Sequence, residues 1–129
     1  MAKRDLTGAV DFEHLERFAA GDRQVIDEVL AIFREQAGMW LRLLDPAAAN
    51  SAWRDAAHTL KGSALGLGAH DLAKACAAAE QAADSDLTER TLKLEKVRDA
   101  LDLALADIAA YVHEQALRSL KSPPATAGR

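Results

Sequence analysis

The 129-residue sequence predicts an all-α domain: an antiparallel four-helix bundle with a short extra N-terminal helix. Three observations carry that reading. Alanine (29) and leucine (18) dominate the apolar set while valine and isoleucine together number eight, so strong helix formers far outnumber strand formers. Proline stands only at Pro46, Pro123 and Pro124, which leaves residues 47–122 free of the strongest helix breaker. Apolar residues recur at three- and four-residue spacing in four segments, as in helices that bury one face. The length gives one core rather than two, and four stripes with short connections fill it as a bundle.

The first, short helix is expected near Asp11 to Ala20. The second runs from about Asp22, a suitable N-cap, to Leu44 before Asp45-Pro46, with Ile26, Val29, Phe33, Trp40 and Leu44 as its stripe. The third starts near Asn50 or Ser51 and runs to the Gly66–Gly68 region, burying Trp53, Ala56, Ala57, Leu60, Ala64 and Leu67. The fourth, about Ala69 to Ala83, offers Leu72, Ala75, Cys76, Ala79 and Ala83. The fifth runs from Asp86, where Asp86 and Glu89 resemble a capping box, to about Leu120, with Leu94, Val97, Leu101, Leu105, Ile108 and Val112 inward. The bundle is expected over 10–120, with a flexible N-terminus over 1–9 and a disordered tail over 121–129, where the Pro-Pro-rich end has nothing to bury.

Composition narrows the function. With 50% hydrophobic and 28% charged residues the chain packs rather than staying disordered, and a net charge of -4 lacks the basic footprint of a nucleic-acid binder. The single Cys76 can form no internal disulfide, the N-terminus MAKRDLTGAVDF has no apolar signal region, and no run approaches a membrane span. A cytoplasmic location is expected. His14, His70 and His113 make no metal-ligand spacing, so no metal site is expected. No Gly-rich phosphate loop appears either, so neither ATP binding nor autophosphorylation is expected. Cys76 lies on an apolar stripe, where packing is the expected role, and Trp40 and Trp53 are expected as core anchors.

One stretch carries chemistry: WRDAAHTLKGSALGLGAHDLAKACAAAE, residues 53–80. On a helix His58, Lys61, Gly62 and Leu65 share a face through i+3 and i+4 spacing, Arg54 and Asp55 extend it one turn back, and the apolar stripe lies to one side. An exposed imidazole is nucleophilic near neutral pH, and a lysine one turn away can compensate an anionic group attached to it. An exposed His and Lys alone are an ordinary solvated face. Gly62 is sharper, because an internal glycine costs a helix roughly 1 kcal/mol against alanine and leaves a bare patch beside the imidazole.

HTLKGSALGLGA resembles the motif of histidine-containing phosphotransfer (HPt) domains of bacterial phosphorelays. His58, Leu60, Lys61, Gly62, Ser63 and Ala64 fit H-x-L-K-G-S-A, Leu67, Gly68 and Ala69 fit the following L-G-A, and Leu72, Cys76 and Glu80 continue the pattern. Upstream, DFEHLERFAAGDRQVIDEVLAIFREQ is similar to the family's entry helices, so the likeness covers about residues 10–115. It implies a four-helix bundle that shuttles a phosphoryl group between receiver-domain aspartates. It makes His58 the phosphoacceptor, Lys61 the neighbour that steadies phosphoryl charge, Gly62 the clearance for the receiver, and Glu80 the residue facing the histidine from the adjacent helix. Receivers and a hybrid histidine kinase are the implied partners of an expected monomer, and Mg²⁺ is expected from the receiver, with no cofactor of the chain's own. Phe12, Leu15 and Phe18 are candidate docking residues beside Arg54, Asp55 and Leu65. Leu65-Gly66 departs from the family's small or polar residues there, and leaves open whether Leu65 faces the partner or the core. The alternatives are a degenerate bundle that only binds a partner, and the phosphoacceptor module of a chemotaxis-type kinase; kinases of that kind continue into further domains, whereas this sequence closes on SPPATAGR.

Overall fold

The computed structural model describes residues 7–121, apart from the side chain of residue 121; of the tail expected over 121–129, residue 121 closes the last helix and 122–129 lie outside the described residues. Five helices follow in order: α1 (Phe12–Phe18), α2 (Arg23–Leu43), α3 (Asn50–Leu67), α4 (His70–Gln81) and α5 (Leu87–Lys121). Each boundary falls within two residues of its expected place, the usual fraying margin. No strand occurs among the described residues.

The start and stop signals work as the sequence implies. Asp22 caps α2 by accepting hydrogen bonds from the backbone N–H groups of Gln24 and Val25, and Asp86 accepts from Glu89 N at 2.9 Å before α5. Gly68 ends α3 in the left-handed region at φ 91°. Its N–H reaches Leu65 O while Ala69 N reaches Ala64 O, a Schellman closure that turns the chain sharply into α4. A Cβ at Gly68 would also lie 3.0 Å from Asp11 O, so the glycine serves both the turn and a close backbone approach.

Helices α2 to α5 form the bundle, each packed on its neighbour in sequence, with the lightest contact between α2 and α5. Alanine faces on α3 and α4 let those two axes approach, and Ala56, Ala57, Ala64, Ala73 and Ala79 are all buried there. The core is continuous through Ile26, Leu30, Phe33, Trp53, Leu60, Leu72, Val97, Leu101 and Ile108. On α5 the inward stripe ends with Tyr111 rather than Val112, which is exposed: after Val97, Leu101, Ala104 and Ile108, the three- and four-residue spacing falls next on 111.

Two expectations change. Residues 7–9 are not a loose terminus: Thr7 N and Ala9 N donate to the carboxylate of Asp107 at 2.7 and 2.9 Å, and Ala9 and Val10 are buried. Residues 1–6 lie outside the described residues. Phe12 and Leu15 are core residues rather than docking residues, buried to 5% and 0% exposure, with Phe12 stacked on Tyr111 at 4.2 Å. An apolar residue with partners on two helices gains more inside than at the surface.

Candidate functional site

The face of α3 opposite its buried alanines carries His58, whose side chain is 66% exposed. Across the α3–α4 seam stands Glu80, and its two carboxylate oxygens are used separately. Oε2 lies 2.9 Å from His58 Nδ1, and Oε1 accepts from Lys61 Nζ at 2.7 Å. The α3–α4 packing that buries Leu60, Ala64, Cys76 and Ala79 sets this register, so a core built from small residues fixes the distance between site residues on its rim.

The hydrogen bonds at Glu80 favour one tautomer of the imidazole. The hydrogen bond from Lys61 holds the Glu80 carboxyl below its usual range, opposed by partial burial and helped by the bond to His58. An ionised carboxylate only accepts, so His58 Nδ1 carries the N–H and donates it. In the neutral ring the remaining nitrogen, Nε2, then keeps its lone pair. Lys61, half-buried between Glu80 and solvent, holds its charge one helical turn from the imidazole.

Gly62 follows on the same face. A Cβ there would meet nothing within 4 Å, and the same is true at Gly66. The chain's own packing therefore demands neither glycine, and the bare backbone is an outward-facing feature. Leu65, 50% exposed, continues the face, and Phe18, Val29, Ile32, Ser63, Gly66 and Leu67 line a shallow apolar groove beside it. Among the described residues no group of three or more metal-ligating side chains comes together.

The model of the Hpt domain matches residues 12–113. The chain belongs to the Hpt domain family. Among solved structures, a histidine phosphotransferase, ShpA from Caulobacter crescentus, is 57% identical over 88% of this chain and 99% of its own, with a TM-score of 0.73. A histidine-containing phosphotransfer protein from maize, ZmHP2, shares the fold at 22% identity, covering 86% of this chain and 88% of its own at a TM-score of 0.73. No curated protein matches.

Within this Hpt domain the structure brings together His58, Lys61, Gly62 and Glu80 as one cluster. It leaves Arg54, Asp55 and Leu65 exposed on the same helix, with Leu65 turned to solvent because α3 stays helical through Leu67. Arg54 is steadied by Asp84 at 3.3 Å. Phe18, 71% exposed, is the member of the α1 trio that stays outside. Ile32 on α2, 52% exposed beside it, was not singled out by the sequence; its signal is an isoleucine placed off the inward stripe. Cys76 is buried behind the site, and burial pushes its thiol up to about 12, so it packs and does not react.

Proposed function

We propose that His58 is the residue that carries the phosphoryl group in the phosphorelay phosphotransfer of this Hpt protein. The observation that carries the proposal is the division of Glu80 between His58 Nδ1 and Lys61 Nζ. It leaves one nucleophilic nitrogen on an exposed ring whose orientation is fixed.

Transfer follows from that geometry. His58 Nε2 attacks the phosphorus of a receiver's aspartyl phosphate in line, an N–P bond forms as the P–O bond to the aspartate breaks, and the aspartate leaves as a carboxylate. Positive charge that develops on the ring is stabilised through Nδ1–H by Glu80. Lys61 compensates the phosphoryl oxygens, and Gly62 lets the receiver's loops approach the helix. The reverse sequence passes the group to a second receiver. Mg²⁺ would come with the receiver's acidic pocket.

The exposed apolar groove from Phe18 and Ile32 to Gly66, continuous with the His58 face through Ser63, is the receiver's docking surface in this reading. Its apolar centre, with Arg54 and Asp55 at the edge, has the composition of a transient protein interface. A self-contained core supports a monomer, and a partner set of receivers and a hybrid kinase supports a cytoplasmic location.

The test is phosphoryl transfer from a panel of labelled receiver domains with Mg²⁺. The expected result is an acid-labile, base-stable label on the wild type and none on His58→Gln. Label retained by a folded His58→Gln protein overturns the assignment.

A further inference from the structure

Far from His58, α5 carries a fully buried carboxylate, Asp107, that phosphotransfer does not use. All of its hydrogen bonds go to one short segment: Oδ1 accepts from Thr7 N at 2.7 Å and Thr7 Oγ1 at 3.0 Å, and Oδ2 accepts from Ala9 N at 2.9 Å. Among the described residues no cation pairs with it, so three donors from the strap alone satisfy the buried carboxyl group, and any slackening of the strap leaves its oxygens without partners.

The strap leads directly into α1. Asp11 N donates to Gly68 O at 2.9 Å, and the Asp11 side chain caps α1 by accepting from His14 N. Helix α1 has only seven residues, too few to be stable alone. At its other end the chain passes through two left-handed residues, Ala20 at φ 53° and Gly21 at φ 76°, whose N–H groups close the helix on Arg17 O and Glu16 O. The roll of α1 is set by the strap at its N-terminal side together with its buried face and Glu16, whose Oε2 accepts from the Tyr111 hydroxyl at 2.8 Å. That roll decides where Phe18 points, because Phe12 and Leu15 turn inward while Phe18, one further step of three residues, emerges at the groove.

We propose that Asp107 is a positioning residue for partner recognition: by fastening Thr7–Ala9 to α5 it fixes the roll of α1 and holds Phe18 in the groove beside the His58 helix. The inference rests on the phosphocarrier reading and adds to it a residue on the opposite flank of the bundle that acts on docking and not on the transfer step.

The experiment compares two routes of phosphorylation in the full chain. Phosphoramidate, a small donor, needs no docking surface; a phosphorylated receiver with Mg²⁺ does. Asp107→Asn keeps the shape but turns one acceptor into a donor facing Ala9 N–H, and Thr7→Ala removes the hydroxyl's bonds to Asp107 and Ala9 N while leaving both backbone bonds to Asp107, which keeps the fold testable if the first variant is unstable. Expected for Asp107→Asn are small-donor labelling at the wild-type rate, a KM for the phosphorylated receiver raised about fivefold and kcat within twofold, with a smaller rise for Thr7→Ala. Phe18→Ala should raise KM in the wild type and add little in the Asp107→Asn background. Unchanged KM in folded variants, or effects of Phe18→Ala and Asp107→Asn that simply multiply, would overturn this inference alone. Absence of small-donor labelling in the wild type would overturn the phosphocarrier reading and this inference with it.

Discussion

Two polar networks join α3 to the end of α4, one through Arg90 of α5 and one through Glu80, and they differ in what they leave unspent. At one, Arg90 is buried and its guanidinium donates to Pro46 O and Ala48 O at 2.8 Å, to Ala83 O at 2.6 Å and to Asn50 Oδ1, lying also 5.3 Å over the Trp53 ring. At the other, Glu80 holds His58 and Lys61 at the surface. Arg90 spends its terminal N–H groups on the ends of the α2–α3 connection and α4, and it has nothing to offer a partner. His58 spends one ring nitrogen and keeps the other. The same kind of contact makes a rivet where the terminal N–H groups are all used inside the fold and a reactive centre where one exposed atom is left over.

Substitutions at four positions and a pH series at Glu80 test that contrast. The largest effect is at the unspent atom: His58→Gln abolishes transfer while the urea midpoint stays within error of wild type, since an exposed side chain contributes little to the fold. Arg90→Ala does the opposite. It strands buried carbonyls and costs on the order of 3 kcal/mol in urea unfolding, while the folded fraction still accepts phosphate from a small donor at the wild-type rate. Lys61→Ala slows receiver transfer about tenfold, on the order of 1.4 kcal/mol of transition-state stabilisation, measured in single turnover.

Glu80 links stability to acid. Its carboxyl is held below its ordinary value of 4.5 chiefly by Lys61. The stabilisation is therefore fully present above that ordinary value and lost as pH falls through the lowered one. Urea midpoints of wild type and Glu80→Gln should differ at pH 7 and converge at pH 2. The smallest effect is at Gly62: alanine fits the open space and adds about 0.5–1 kcal/mol of helix stability. The bulkier Gly62→Gln instead raises the KM for the phosphorylated receiver and leaves small-donor labelling intact.

The sequence made the site more legible than its supports. His58, Lys61 and Gly62 stand within five residues on one helix, so their shared face follows from helical geometry, and Glu80 stands one helix on at a position the family motif marks. Stripes and caps gave the helices because each is a local rule: Asp22 and Asp86 cap as their types require, and Gly68 turns the chain as only glycine does without strain. What was hidden depends on long-range pairing. Asp107 meets Thr7 across 100 residues, and Arg90 meets Pro46 across 44; neither spacing has a period. The burial of Phe12 and Leu15 is not legible in the sequence, because a three-residue spacing in a seven-residue helix says which side chains share a side, but not which side is covered.

The most direct test of the unspent nitrogen is long-range ¹⁵N NMR of the histidine rings before and after phosphorylation by a receiver. The expected result is a His58 ring protonated at Nδ1 beforehand, and a phosphoryl group on His58 Nε2 afterwards with Nδ1–H retained. A phosphoryl group on Nδ1, or on His14, His70 or His113, would contradict it.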